Sequence, residues 1–368
     1  MWALKEKFNS KKSKKGWLYF KDSSNLERNE QNVPDWNKKG YLLIKKNSRW
    51  LSPYFKCEPF KYYRLTFKSK SKIEKNLWGV FFYDKQEQMN SSDVYSSVFS
   101  SKQWMKNVNI FRGREHCIKA RISFAASEEN FHIKDLTVEK ISPKDVLKWA
   151  NNFYKELPPI SYKPEQEKWK YIPKTIESLK SGKEIRIVML GDSIINDTNN
   201  SHFEVLLKET YPKSNIKMIP SVESSKGCWY YIEGDRLKKY VMDKNPDLLI
   251  IGGISQNNDI ESIKKVIQQI KLKCNCEILL LSGPMGKDWR TFDREGKPIF
   301  QDWNPEPFNE TLGLLAIDEK VEFFDIGSLW HKYLACSGKP FLWFHRDNIH
   351  ANDRGKQILG RFLLKYFS

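Results

Sequence analysis

The chain has 368 residues, 40% hydrophobic and 14% aromatic, which is long enough for two domains and apolar enough for packed cores. No apolar run is long enough to span a bilayer, which excludes a helical membrane span. Lys and Arg number 63 against 45 Asp and Glu, a formal charge of +18, and the excess is uneven. Residues 1–150 hold 31 Lys and Arg against 16 Asp and Glu, and the remainder holds 32 against 29. The basic half suits either solvated lysine-rich faces or a surface for a polyanion, whether acidic polysaccharide or nucleic acid.

The opening stretch, "MWALKEKFNSKKSKKGW", is basic but lacks an apolar core segment, so no signal peptide is visible. The expected compartment is cytoplasmic, or secreted or periplasmic if a leader has been removed. Six cysteines (Cys57, Cys117, Cys228, Cys274, Cys276 and Cys336) form no paired CxxC clusters. No His stands at zinc-ligand spacing from Cys274 and Cys276, so plain thiols are expected and no metal. A Cys57–Cys117 disulfide stays open as an alternative.

Residues 16–140 read as all-β. "GYLLIKK", "YYRLTFKSKS", "WGVFFYD", "CIKARISFAAS" and "FHIKDLTVEKI" are rich in β-branched and aromatic residues and are separated by polar segments. Alternation is plain from Tyr63 to Lys68, as expected of a half-buried strand. Many short strands predict a β-sandwich or jelly roll over residues 1–140.

"SPKDVLKWANNFYKELPPISYKP" changes the pattern. Ser142-Pro143 followed by Asp145 predicts a helix start, with Val146, Trp149 and Phe153 at helical spacing. Pro158-Pro159 stops that helix. Residues 141–182 are therefore expected to be a helical connector.

From Glu184 strands and helices alternate. "EIRIVML", "NIKMIPSV", "DLLIIGGI", "CEILLLSG" and "VEFFDIG" are short apolar strands of the kind buried on both faces. "SHFEVLLKETY", "WYYIEGDRLKKYVMD", "ESIKKVIQQIKL", "FNETLGLLAIDEK" and "DRGKQILGRFLLKYF" are the helices between and after them. The pattern predicts an α/β fold over residues 183–368, a three-layer αβα stack around a five-stranded parallel sheet. Chemistry in such sheets sits at the carboxyl ends of the strands. Ser193, in "VMLGDSIINDTNN", follows the first of them.

A serine hydrolase needs a nucleophile, a base, a group that orients the base, and donors for the oxyanion. The GxSxG elbow occurs nowhere in the chain. "RDNIHAND" instead offers Asp347 and His350, three residues apart on a loop that enters the last helix. That spacing lets the carboxylate reach one imidazole nitrogen and leaves the other for a serine proton. Asn352 is placed to cap the final helix.

"GDSIIND" followed far downstream by "DNIH" resembles the SGNH, or GDSL, hydrolase superfamily over roughly residues 184–368. The resemblance implies a flavodoxin-like sheet and a Ser193, His350 and Asp347 catalytic set. It also implies a Gly after the second strand, which Gly227 in "SSKGCW" suits, and an Asn after the third. Here "IIGGISQNND" puts Gln256 at that place, with Asn257 as the neighbouring alternative. The implied oxyanion donors are the backbone N–H groups of Ser193 and Gly227 and the Gln256 side chain. Asp192 and Asp197 are expected to bond turn backbone rather than to take part in catalysis. His202 and His345 are expected to be structural or rim histidines. Trp289 and Arg290, on the long loop after the fourth strand, are candidate substrate contacts or ordinary surface residues.

The closing strand "NFHIKDLTVEKIS" looks like that of a carbohydrate-binding jelly roll. Trp17, Trp36, Trp50, Trp78 and Trp104 are candidates for stacking on sugars, although sandwich tryptophans are mostly buried. The expected function is a serine esterase that deacetylates an O-acetylated polysaccharide or oligosaccharide. A lipid or acyl-thioester hydrolase of the same fold and a non-catalytic glycan-binding protein are the alternatives. The expected partner is an acetylated glycan, an acidic one suiting the charge. No nucleic-acid motif, membrane span or cofactor is expected, and the oligomeric state is open.

Overall fold

The computed structural model describes residues 2–6, 16–20, 40–86, 94–164, 168–283 and 307–368. The chain divides into two compact units, Met1–Val146 and Leu147–Ser368.

The first unit is built from eleven strands among the described residues. They are β1 (Trp2–Glu6), β2 (Leu18–Phe20), β3 (Leu42–Ile44), β4 (Arg49–Leu51), β5 (Phe55–Lys56), β6 (Tyr62–Ser71), β7 (Leu77–Tyr83), β8 (Val94–Ser97), β9 (Ser101–Arg112), β10 (Lys119–Ala125) and β11 (Phe131–Ile141). One antiparallel sheet runs β1-β11-β6-β9, with β3 also on β11. The other runs β2-β4-β10-β7-β8, with β5 also on β10. Along β6 the side chains alternate, so Leu65 and Phe67 are buried while Arg64 and Lys68 face away. Leu65, Phe67 and Ile133 of the first sheet share one hydrophobic cluster with Val80, Phe82 and Phe124 of the second. Phe67 meets Phe124 edge to face at 5.1 Å.

Strand β9 was not among the expected strands. Its inward positions Asn107 and Asn109 are buried polar residues, so the apolar alternation that marks a strand is missing there. Trp17, Trp50 and Trp78 lie in the core. Trp104, on β9, is only half-buried, and Trp36 lies outside the described residues.

Helix α1 (Pro143–Tyr154) starts where Ser142-Pro143 predicts. Ser142 and Asp145 bond reciprocally, the Asp145 carboxylate accepting from the Ser142 N–H at 3.1 Å and the Ser142 Oγ accepting from the Asp145 N–H at 3.2 Å. Helix α2 (Pro173–Ser181) then leads to β12 (Glu184–Gly191), α3 (Ser193–Asn199), α4 (Phe203–Thr210), β13 (Asn215–Val222), α5 (Cys228–Tyr231), α6 (Arg236–Tyr240) and β14 (Leu248–Ile251). They are followed by α7 (Ile260–Lys273), β15 (Glu277–Leu281), α8 (Pro307–Asp318), β16 (Glu322–Phe324), α9 (Ile326–Cys336) and α10 (Asp353–Phe367).

The five strands of this unit form one sheet in the order β13-β12-β14-β15-β16, and every pairing is parallel. Counted along the chain this is the order 2-1-3-4-5 of flavodoxin-like folds. Alternate residues of β12 enter two cores. Ile187 and Met189 pack with Phe203, Trp330 and Phe362 on one face, and Val188 and Leu190 pack with Leu237, Ile263 and Leu312 on the other. Burial on both faces explains why these strands read as continuous apolar runs.

Three elements of this unit differ from expectation, and the short helix α3 at Ser193–Asn199 is the first. The stretch read as one helix from Trp229 breaks into α5 and α6, with Gly234 at a φ of 54° between them. Helix α9 was not expected. Its start is marked by Asp325, whose carboxylate accepts from the Ser328 N–H at 3.1 Å.

Candidate active site

The sheet order reverses at β12, which has β13 on one side and β14 on the other. Ligand crevices in open α/β sheets form at such points, beyond the carboxyl ends of the strands. Strand β12 ends at Gly191, and Ser193 begins α3 immediately after it.

Asp192 sets the turn between them. It is buried, and one carboxylate oxygen caps α3 by accepting from the Ile194 N–H at 2.9 Å. The other accepts from the N–H groups of Ile254 and Ser255 at 2.8 and 2.7 Å. The chain after β14 is thereby fastened to the turn that presents Ser193. Gly253 permits this approach, because its φ is +102° and a Cβ there would meet the Asp192 carboxylate at 2.4 Å.

Asp347 and His350 arrive from the loop before α10. Asp347 accepts from the N–H groups of Ile349 and His350 at 2.8 and 2.7 Å, which folds the loop around its own carboxylate. Both of its oxygens lie near His350 Nδ1, at 3.0 and 2.9 Å. The other imidazole nitrogen, Nε2, lies 2.8 Å from Ser193 Oγ. Nδ1–H then donates to Asp347, and Nε2 accepts from the serine hydroxyl. Burial acts to raise the Asp347 pKa, but the hydrogen bond and charge of His350, with the charge of Arg346, outweigh it. The carboxyl stays well below the usual carboxylate range and is ionised.

The remaining residues expected at the site fall into distinct places. Gly227 caps α5, and a Cβ there would meet the Ser255 carbonyl at 2.2 Å, so only glycine fits. Among the described residues no hydrogen bond uses the N–H of Ser193 or of Gly227. Gln256, expected as an oxyanion donor, bonds backbone groups on two loops. It is buried, its Oε1 accepts from the Cys228 N–H at 2.9 Å, and its Nε2 donates to the Gly252 carbonyl at 3.2 Å. The longer glutamine side chain spans two loops and becomes a strut between them. Asn257 is exposed at a φ of 55°. Trp289 and Arg290 lie outside the described residues.

Sequence reasoning missed the contribution of Asp197 and Arg346. Asp197 does bond backbone, accepting from the Ala351 N–H at 3.0 Å. It also forms a buried ion pair with Arg346, whose Nη1 lies 2.9 Å from each of its oxygens. The Arg346 guanidinium also donates to the Ala351 carbonyl at 2.6 Å. Asn352 caps α10 by accepting from the N–H groups of Arg354 and Gly355, while its Nδ2 donates to the Trp343 carbonyl at 3.0 Å. His202 is buried at the start of α4, edge-on to Trp149. His345 is buried against Phe341, and its Nδ1 lies 3.0 Å from the Phe341 carbonyl. Among the described residues, no group of three or more His, Cys, Asp or Glu could hold a metal ion. No described helix is long and apolar enough to cross a membrane.

No family model matches the chain, and no curated protein matches it. Solved structures do. A two-domain esterase active on acetylated mannans is 15% identical at a TM-score of 0.44, and the alignment covers 54% of this chain and 53% of that one. An acetylxylan esterase from Geobacillus stearothermophilus is 16% identical at a TM-score of 0.39, covering 50% of this chain and 94% of the other. A G-D-S-L family protein from Desulfitobacterium hafniense is 13% identical at 0.36, covering 50% and 99%. The chain thus spans about half the length of the mannan esterase.

Proposed function

We propose that the chain is a serine esterase that removes O-acetyl groups from a polysaccharide or oligosaccharide. The observation that carries this reading is the continuous hydrogen-bond chain from Ser193 through His350 to Asp347 at the reversal point of the sheet. Ser193 attacks the ester carbonyl as His350 Nε2 takes its proton. His350 returns that proton to the departing sugar hydroxyl, leaving an acetyl-serine. Water, deprotonated by the same nitrogen, then releases acetate. Asp347 holds the imidazole in the required tautomer and balances its charge when protonated.

The Ser193 and Gly227 N–H groups serve as oxyanion donors in this reading. Gln256 acts through Gly227, by holding the start of α5. Asn257, Trp289 and Arg290 are assigned to substrate contact. Residues 1–140 are assigned as a jelly-roll β-sandwich that engages glycan, 141–182 as a helical connector and 183–368 as the hydrolase domain. Support for the glycan side comes from the basic excess of the first 150 residues and the half-buried Trp104.

The test is acetate release from neutral and acidic acetylated glycans, set beside chromogenic acyl esters of increasing length. Acetylated glycan should be the better substrate, and Ser193→Ala should abolish turnover without moving the unfolding transition. Undiminished turnover in Ser193→Ala removes the mechanism. A preference for long acyl chains moves the enzyme to lipid or thioester hydrolysis.

A further inference from the structure

We propose that the outward face of the β1-β11-β6-β9 sheet, centred on Trp104, docks an anionic polysaccharide whose sugars carry carboxylates. The inference rests on the glycan part of the proposed function and is independent of the Ser193 mechanism. Strand register builds the face. Lys134 of β11 pairs with Lys68 of β6, and Lys68 pairs with Lys106 of β9, so three lysines stand in one row across neighbouring strands. Strands lie about 4.8 Å apart, and like charges placed opposite each other repel. In the next row His132 pairs with Lys70. Burial first, and then the Lys70 charge, lowers the His132 pKa and keeps that ring neutral.

The acidic groups on the face are few. Asp135 pairs with Lys68 at 3.0 Å, and Glu139 pairs with Arg64. No carboxylate pairs with Lys70, Lys102, Lys106 or Lys134 among the described residues. An external anion would relieve the repulsion within the row.

Aromatic groups stand among these ammoniums. The Nζ atoms of Lys134 and Lys70 lie 4.3 and 5.2 Å from the centre of the Trp104 ring. Tyr41 lies 5.9 Å from Trp104 and 5.0 Å from His132. A sugar ring offers a C–H face to an aromatic surface, and its carboxylate can meet an ammonium beside that surface. Single-stranded nucleic acid needs a series of separate platforms for successive bases. Tyr41 and Trp104 form one contiguous cluster, which favours a saccharide.

The experiment measures binding of the full chain to polygalacturonate, a neutral mannan and a single-stranded oligonucleotide at matched ionic strength. Polygalacturonate should bind and should weaken with salt, and mannan should bind far less. Trp104→Ala and the double variant Lys70→Ala/Lys134→Ala should each weaken polygalacturonate binding by roughly tenfold or more. The charge-matched control Lys56→Ala/Lys85→Ala, off this face, should bind as wild type. Turnover of a small soluble ester should be unchanged in all of them, so a failure of binding and a failure of the esterase reading are separately visible. Equal loss in the control would reduce the effect to net charge and overturn the surface. Wild-type binding by both face variants, or tighter binding of the oligonucleotide through Trp104, would also overturn it. The lysine pair removes no packed ring, so it carries the test if Trp104→Ala does not fold.

Discussion

Ser193 and Asp197 stand one turn apart on α3, and each grips the same loop at a different point. Ser193 Oγ meets His350 Nε2 at 2.8 Å, while the Asp197 carboxylate holds Arg346 Nη1 at 2.9 Å and the Ala351 N–H at 3.0 Å. The two contacts bracket the segment that carries Asp347 and His350. A shift of α3 against this loop would therefore change the serine–imidazole distance. Under the proposed mechanism, Asp197 and Arg346 are positioning residues.

Asp197→Ala should lower kcat with little change in KM and cost about 3–5 kcal/mol of stability, because it leaves Arg346 charged and buried without its partner. Lys356, 4.0 Å from Asp197, keeps a second carboxylate in Asp353 at 3.6 Å. The double variant Asp197→Leu/Arg346→Met buries no unpaired charge. It should recover much of the stability and little of the turnover. Denaturant unfolding and steady-state kinetics separate the two effects, and a double variant with full kcat would show that the pair does not position the loop.

His345 offers a pH test in the same unit. Burial pushes its pKa down to about 3, with smaller opposing contributions from the Phe341 carbonyl and Asp347. In the unfolded chain a histidine titrates near pH 6.5. Between those values the unfolded state binds the additional proton, so the stability contribution is full above about pH 6.5 and is lost as the pH falls towards 3. The slope should be about 1.4 kcal/mol per pH unit. His345→Asn should flatten that dependence by one proton in denaturant titrations of the unit. Parallel slopes in the two proteins would mean that His345 is not buried in its neutral form.

What the sequence could show follows the physics of each signal. The five parallel strands were legible because burial on both faces demands unbroken apolar runs such as Leu248 to Ile251. That Ser193, His350 and Asp347 would meet was legible because a carboxylate, an imidazole and a hydroxyl stand at the ends of elements on the same side of the sheet. Strand β9 was hidden, since Asn107 and Asn109 occupy inward positions. The ion pair of Asp197 with Arg346 was equally hidden, because it joins residues 149 apart and depends on how α3 and the loop pack. The role of Gln256 could not be read from spacing alone, because only the folded loops reveal what its amide reaches.

The first unit carries a redox prediction. Cys57 and Cys117 are buried free thiols with their sulfurs 3.8 Å apart. Contact with Cys117, and then burial, pushes the Cys57 thiol up, while the hydrogen bond with Cys57 lowers Cys117, so Cys117 should supply the thiolate when an oxidant closes the pair. Once closed, a crosslink over 60 residues should add about 4 kcal/mol and raise the melting temperature of the unit by roughly 10 °C. Mass spectrometry under diamide should find the loss of two hydrogens. Cys57→Ser should abolish that change together with the thermal gain. Oxidation that couples other cysteines instead would remove the pair from consideration.

Gln256 distinguishes a strut from a direct oxyanion donor. A direct donor stabilises charge that exists only in the tetrahedral intermediate, so its removal lowers kcat by roughly 10²–10³ and leaves stability alone. A strut holds structure in every state. Gln256→Ala strips a partner from the buried Cys228 N–H and from the Gly252 carbonyl, each loss costing about 1–3 kcal/mol. The strut therefore predicts that kcat and unfolding free energy fall together, with Gly227 displaced from Ser193. Gln256→Asn is one methylene shorter and cannot span both loops, so it should resemble Gln256→Ala. Gln256→Glu keeps an acceptor for Cys228 but sets a carboxylate against the Gly252 carbonyl, and should be destabilised as well. A hundredfold loss of kcat at wild-type stability in Gln256→Ala would instead make the side chain an oxyanion donor and give the strut to the backbone alone.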